Sequence, residues 1–175
     1  MRHHSGLLRL VSSLLVSVAL SAPTVLQAAP RAGQPAPDFR MTTTAGQQVS
    51  LERYRGQVLL LDFFAVWCKP CREAIPHLNE LSRKYGKQGL QVLGVSADEE
   101  GEKSVRVFAE QNRIEYPVVL AGEAMLTDYG VRSVPILFVI DRRGRVAEVF
   151  RGVTDATGRS QEQLVKKLLA EKPSQ

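Results

Sequence analysis

The run Val58–Phe64 constrains the fold more than any other feature, because every residue in it except Asp62 is apolar. A run of this length with β-branched and aromatic residues is typical of a strand buried on both faces of a parallel sheet. Such a strand needs helices on both sides of its sheet. The run therefore predicts the central strand of an α/β domain, and 175 residues suit one such domain.

The rest of the chain alternates between strand and helix patterns. Ala45-Gly46 predicts the turn of a hairpin before the central strand. Pro70 stands in the first turn of a helical pattern that ends near Gly86. Further strands are predicted at Leu90–Ser96, Val118–Leu120, Ile136–Ile140 and 146–150, and further helices around 105–109, at 124–129 and from about 157 to 171.

The chain has two cysteines, which lie in the run Trp67-Cys68-Lys69-Pro70-Cys71. Cys68 falls where the predicted strand ends and the predicted helix begins, so free backbone N–H groups and the helix dipole favour its thiolate form. Cys71 follows one helical turn later, within reach to resolve a mixed disulfide formed by Cys68. The spacing therefore predicts a redox dithiol.

Two other interpretations of the cysteine pair are a zinc half-site and an inert structural disulfide. Zinc needs four ligands. The chain has no second cysteine pair, and the only other candidate ligand nearby is His77, which we interpret as an exposed or capping helix residue. A disulfide that closes so short a loop removes little entropy from the unfolded chain. We therefore predict no metal site and no cofactor.

The segment Leu61-Asp62-Phe63-Phe64-Ala65-Val66-Trp67-Cys68-Lys69-Pro70-Cys71-Arg72 resembles the active-site segment of thioredoxins. The opening Pro35-Ala36-Pro37-Asp38-Phe39 and the long stretch before Val134-Pro135 resemble the exported TlpA/ResA/DsbE-like branch. The resemblance covers 35–172, which we predict to be one thioredoxin-like domain. It implies a thioredoxin fold: a central mixed β-sheet with helices on both faces, an amino-terminal β extension and an insert before a cis-proline.

The resemblance also implies site residues beyond the cysteines. Pro135 would be the cis-proline that faces the dithiol, and Val134 would offer its backbone to an extended substrate. Asp62 would be the buried acid that relays the proton as Cys71 attacks. Trp67 would shape the substrate contact surface. The alternatives are a trans proline that opens a strand, a partly solvated aspartate and a tryptophan packed in the core.

One position departs from the pattern of the TlpA/ResA-like branch. These proteins often carry a glutamate three positions after the second cysteine, where this chain has Ala74. The neighbouring Glu73 points elsewhere on a helix and is interpreted as a surface residue. We therefore assign any acid assistance to Asp62.

The first 29 residues have the layout of a secretory leader, with Arg2 and Arg9 near an apolar stretch at 10–20. We expect an exported, periplasmic or otherwise extracytoplasmic protein. The sites for cleavage after Ala28 or Ala29 are weak, so an uncleaved membrane tether through 7–22 stays open. Without the two leader arginines the chain has 21 basic and 18 acidic residues, a net charge of +3 that does not indicate nucleic-acid binding.

The Lys69-Pro70 dipeptide resembles that of reducing thioredoxins and TlpA-like proteins. It implies a reductant of specific protein disulfides, as in cytochrome c maturation or metal-site assembly, recharged by a membrane electron donor. One alternative is a peroxiredoxin-like peroxidase, because Ala36-Pro37-Asp38-Phe39 also opens those chains, although their Pro-x-x-x-Thr-x-x-Cys setting is missing here. The other alternative is a non-catalytic chaperone or binding module with the same fold.

Overall fold

The computed structural model describes residues 29–99 and 101–171. The predicted leader lies outside them apart from Ala29. The described strands are β1 (Arg40–Thr42), β2 (Gln48–Ser50), β3 (Val58–Phe64), β4 (Leu90–Ser96), β5 (Val118–Leu120), β6 (Ile136–Ile140) and β7 (Val146–Arg151). The α-helices are α1 (Lys69–Tyr85), α2 (Glu102–Gln111), α3 (Glu123–Asp128) and α4 (Asp155–Ala170), and short 3₁₀ helices follow β2 and α1.

Five strands form the central sheet in the order β5-β4-β3-β6-β7. β3 pairs in parallel with β4, and β4 with β5, whereas β6 pairs antiparallel with both β3 and β7. The hairpin β1-β2 lies apart, and its Thr43 forms an isolated bridge to Val119 at the β5 edge. The central mixed sheet, the amino-terminal β extension and the inserted α2-β5 unit confirm the predicted fold class.

Alternate residues of β3 point to opposite faces of the sheet, and each face has its own core. The α3 face carries Leu59, Leu61 and Phe63, which pack with α3 and the amino-terminal hairpin. The α1–α4 face carries Val58, Leu60, Asp62 and Phe64, whose apolar members pack with α1, α2 and α4. Helices therefore cover both faces, as predicted.

Side chains satisfy free backbone N–H groups at the starts of α1 and α4. The Sγ of Cys68 accepts a hydrogen bond from the Cys71 N–H at 3.2 Å at the start of α1. At the start of α4, Thr154 and Thr157 form a reciprocal capping box. This box explains why α4 begins at Asp155, two residues before the predicted start.

The segment before β1 is attached to the β6-β7 hairpin. The Gly33 N–H donates to the Val146 carbonyl at 2.7 Å, and the Val146 N–H donates to the Gln34 carbonyl at 2.9 Å. Ordered structure therefore extends upstream of Pro35, while the domain limits 35–172 stay a prediction. In the two described stretches, none of the helices has the length and apolar character needed to cross a membrane.

Candidate active site

The Cys68–Cys71 pair lies at the carboxyl end of β3, where α1 begins. A disulfide of 2.02 Å joins the two sulfur atoms, and both residues are buried, with 3% and 2% of their surfaces exposed. Because Cys68 is the N-cap residue, its Sγ faces the free N–H groups and the positive end of the α1 dipole. The same contacts stabilise a thiolate on Cys68 once the disulfide is reduced.

The turn before Cys68 is held by a carboxylate that the sequence analysis did not single out. Both oxygens of Asp98 accept hydrogen bonds from the Val66 N–H, at 3.1 and 3.0 Å. The Ser96 hydroxyl donates to the same carboxylate at 2.6 Å, and Asp98 is buried. Asp98 thus fixes the backbone that leads into the cysteine pair.

Asp62 lies on β3, on the sheet face that α1 covers, and lines a cavity together with Ala74 and Leu78 of α1. It is 5% exposed, and its place in the ladder with Leu137 is regular, so the alternative of a partly solvated aspartate is wrong. Burial raises the pKa of Asp62 to about 7, and the Tyr116 hydroxyl, as a donor, acts in the lowering direction. Near neutral pH the carboxyl group therefore exists in both protonation states.

Tyr116 reaches Asp62 because the neighbouring strand has a glycine. Gly94 pairs with Asp62 in the β3-β4 ladder, and a Cβ atom on Gly94 would lie 3.2 Å from the Tyr116 ring. The Tyr116 hydroxyl is buried, and it approaches Asp62 without reaching regular hydrogen-bond geometry to any group in the described stretches. Burial and the neighbouring Asp62 both raise the pKa of Tyr116. The sequence analysis missed this residue.

The predicted substrate-binding residues lie around the dithiol. The Val134-Pro135 peptide bond is cis, which excludes the trans alternative in this structure. Val134 is half-buried against the apolar cluster that includes both cysteines. Trp67 is 71% exposed, so the alternative that it packs in the core is wrong.

A cavity of about 470 Å³ lies beside the site, between α1 and α4. Asp62, Pro135 and Gln161 line it together with Glu73 and His77. Glu73 is exposed, as predicted, but His77 is half-buried and its Nε2 atom has no hydrogen-bond partner in the described part of the chain. The interpretation of His77 as an exposed residue was therefore wrong.

The described residues contain no group of three or more histidine, cysteine, aspartate or glutamate side chains that could hold a metal ion. The arrangement that remains is a dithiol at a helix start, a buried carboxyl group behind it and an exposed aromatic ring beside it. Such an arrangement suits nucleophilic exchange at sulfur.

Comparisons of sequence and of structure both find similar proteins that are named for thiol-disulfide exchange. The sequence profile described as the AhpC/TSA family matches residues 32–149. The chain is 34% identical to the thioredoxin-like protein YneN of Bacillus subtilis over 69% of this chain and 71% of that protein. It is 33% identical to the thiol-disulfide oxidoreductase ResA of Bacillus thuringiensis over 78% of each chain. A Chlorobium tepidum structure described as thiol:disulfide interchange protein DsbE superposes with a TM-score of 0.75 at 32% identity, over 82% of this chain and all of that one.

Proposed function

The chain belongs to the AhpC/TSA family and is a thioredoxin-type thiol-disulfide oxidoreductase of the ResA/DsbE type, and from this premise we propose that it is an exported reductant of specific protein disulfides. The observation that carries the proposal is the position of Cys68 as the N-cap residue of α1, with Cys71 one turn behind it. A thiolate held there attacks a disulfide at neutral pH.

We assign different roles to the two sulfur atoms. The Cys68 thiolate attacks one sulfur of the substrate disulfide, which forms a mixed disulfide and releases the other sulfur as a thiolate. The Cys71 thiolate then attacks the Sγ of Cys68, which closes the Cys68–Cys71 bond and releases the second substrate thiol. Two electrons pass from the protein to the substrate.

Asp62 takes the proton that Cys71 must lose before it attacks. A general base is most effective when its pKa lies near the working pH, and burial brings the pKa of Asp62 to about 7. Val134 and Pro135 bind the substrate backbone, and Trp67 supplies an apolar contact surface that is already exposed.

The direction of electron flow follows from the residues between the cysteines. Lys69-Pro70 resembles the dipeptide of reducing thioredoxins rather than that of strong oxidants. We infer that the reduced form donates electrons to disulfides of exported proteins, in cytochrome c maturation or metal-site assembly, and that a membrane electron donor restores it. The leader at 1–29 supports export, either as a cleaved signal peptide or as a tether through 7–22.

The equilibrium potential of the Cys68–Cys71 pair against a glutathione buffer tests this direction. We expect a value close to that of thioredoxin, about −270 mV, whereas the strong oxidant DsbA lies near −120 mV. A potential near the DsbA value would contradict the reductant assignment and leave the oxidoreductase chemistry intact. Because 30 mV corresponds to about 1.4 kcal/mol, a thioredoxin-like potential and a DsbA-like potential differ by several kcal/mol in the free energy of reduction.

The peroxidase alternative has one observation in its favour, the AhpC/TSA family match itself. The chain lacks the Pro-x-x-x-Thr-x-x-Cys setting of peroxiredoxin cysteines. Peroxide consumption by the reduced protein, measured beside reduction of insulin disulfides, separates the two activities. We expect turnover of insulin disulfides and only background consumption of peroxide.

A further inference from the structure

Helix α4 carries a polar residue in its buried stripe. The buried side chains of α4 are Gln161, Val165 and Leu168, which fall on one face at helical spacing. Gln161 is 7% exposed. A buried carboxamide costs free energy unless it is hydrogen-bonded, and a leucine or methionine would suit the stripe better. The presence of glutamine at this position therefore needs an explanation.

Gln161 and Asp62 line the same cavity between α1 and α4. Each side chain is more than nine-tenths buried. Within 29–99 and 101–171, Asp62 has only the loose approach of Tyr116, and neither Asp62 nor Gln161 has a polar atom that is both fully enclosed and unpartnered. Two buried polar side chains thus line one partly open cavity, where water can reach them.

A polar cavity of this size holds ordered water, since each water needs a small volume and two to four polar partners. We propose that Gln161 is a positioning residue that holds water against Asp62, and that this water carries protons between Asp62 and the solvent. The inference rests on the proposed role of Asp62 as the proton acceptor for Cys71. It adds the route by which that acceptor is restored.

The proton that leaves Cys71 gives such a route its function. When Cys71 attacks the mixed disulfide, its thiol proton passes to the Asp62 carboxylate, which becomes neutral. The cysteines on one side leave little opening, because both are almost fully buried in the disulfide form. That proton returns to Cys71 when the disulfide is reduced again, or it leaves to solvent and Asp62 is ionised again. The cavity gives it a polar path that does not pass through the reacting sulfur atoms.

Other titratable groups around the cavity stay in place when Gln161 is changed. Glu162 accepts hydrogen bonds from Lys84 at 2.8 Å and from the Tyr85 hydroxyl at 2.7 Å, so it is already engaged. Among the described residues, the titratable groups that line the cavity or approach Asp62 are, apart from Cys71, Glu73 and His77 of α1, Tyr116 before β5, and Asp155, Arg159 and Glu162 of α4. A change of pH dependence in a Gln161 variant therefore reports on the water held beside Asp62.

The test compares Gln161→Met with Gln163→Met, which makes the same change at an exposed position of α4. Met has a similar volume and favours helix, and Gln161→Leu serves as a second apolar variant. Trp67 is the only tryptophan and lies next to Cys68, so its fluorescence follows a single turnover of the reduced protein with a synthetic peptide disulfide. The bimolecular phase reports attack by Cys68, and the concentration-independent phase reports closure by Cys71.

We expect closure at pH 7 to slow about fivefold in both apolar variants, the factor that corresponds to one lost hydrogen bond. The midpoint of the closure rate against pH should move to higher pH, because the ionised carboxylate loses solvation. The bimolecular phase and the Gln163→Met variant should match the parent protein.

Three results would overturn the inference. If Asp62→Asn slows closure but the Gln161 variants do not, Asp62 keeps its role and the water route is wrong. If Asp62→Asn also closes at the parent rate, the proposed role of Asp62 fails together with the route. If the Gln161 variants slow only the bimolecular phase, the cavity binds a substrate side chain instead of water.

Discussion

The two faces of β3 are built from alternate residues of one strand, yet they differ in what they bury. On the α3 face, Phe63 packs against the rings of Tyr129 and Phe138 at centroid distances of 5.4 and 5.7 Å. The Tyr129 hydroxyl there donates to the Pro37 carbonyl at 2.7 Å. On the α1–α4 face, Asp62 is buried, and the donor that approaches it, the Tyr116 hydroxyl, has no regular hydrogen-bond partner in the described residues. One face thus stabilises the fold, while the other gives up stability to hold a titratable group beneath the cysteines.

The largest difference between the two faces is expected from a substitution at the cysteine pair, on the α1–α4 face. Cys71→Ser removes the second nucleophile, so turnover should fall by about three orders of magnitude or more. The variant should accumulate mixed disulfides on Cys68, which non-reducing electrophoresis and mass spectrometry detect. Cys68→Ser is the matched control, because it loses turnover without trapping any substrate. Free substrate with Cys71→Ser would contradict the assigned order of attack.

The next largest effect is expected on the α3 face. Phe63 is fully buried, so Phe63→Ala should lower the free energy of unfolding by about 3–5 kcal/mol. Denaturant unfolding measures the loss. Because Phe63 points away from Asp62 and the cavity, the dependence of the disulfide-closure rate on pH should not change. A shifted profile would show that the two faces are coupled.

Many of the strands and helices are predictable because each depends on residues that are close together in the sequence. The bounds of β3, β4, β5 and β6 agree with the predicted strands at both ends, since each is a short apolar run between turn signals. Local pattern also located the cysteine pair at a helix start. The starts of α3 and α4 differ from the predicted starts by one and two residues, and at α4 the capping box of Thr154 and Thr157, rather than apolar spacing, fixes the start.

The residues that the sequence analysis missed depend on partners far away in the chain. Asp98 bonds to Val66, 32 positions earlier, and Tyr116 reaches Asp62 across the strand that contains Gly94. Apolar periodicity assigns a residue to a face of its element but does not identify what it meets there. Gln161 illustrates this limit, because it lies in line with Val165 and Leu168 although it is polar. A polar residue at a core position of a predicted helix is the one signal that could have found it.

The stability cost of the α1–α4 face can be measured at Asp62. Its pKa is raised from 3.8 to about 7 in the folded protein, so the folded state binds the proton more tightly than the unfolded state. Below about pH 4 both states are protonated and there is no cost. The free-energy cost of ionising Asp62 in the folded protein grows as the pH rises from 4 to 7, by about 1.4 kcal/mol for each of roughly three pH units. Above pH 7 this cost stays constant at about 4 kcal/mol.

Asp62→Asn should therefore be more stable than the parent at pH 8 by up to about 4 kcal/mol, and the difference should vanish near pH 4. Urea unfolding of the disulfide form at several pH values measures it. Closure of the mixed disulfide should slow by about tenfold to a hundredfold, because a general base is lost. A stability difference that grew as the pH fell would contradict the raised pKa.

The smallest effect compares one tyrosine from each face. Tyr116→Phe removes the donor that lowers the pKa of Asp62, so that pKa should rise further and the closure rate should reach its midpoint at higher pH. Closure at pH 7 should slow by about twofold to fivefold, and stability should change little, because the hydroxyl has no regular partner in the described stretches.

Tyr129→Phe removes a well-formed hydrogen bond instead, so it should cost about 1 kcal/mol of unfolding free energy and leave the pH profile unchanged. If both variants moved the pH profile equally, the hydroxyl of Tyr116 would have no specific action on Asp62. The separation of the two faces would then rest on burial of Asp62 alone.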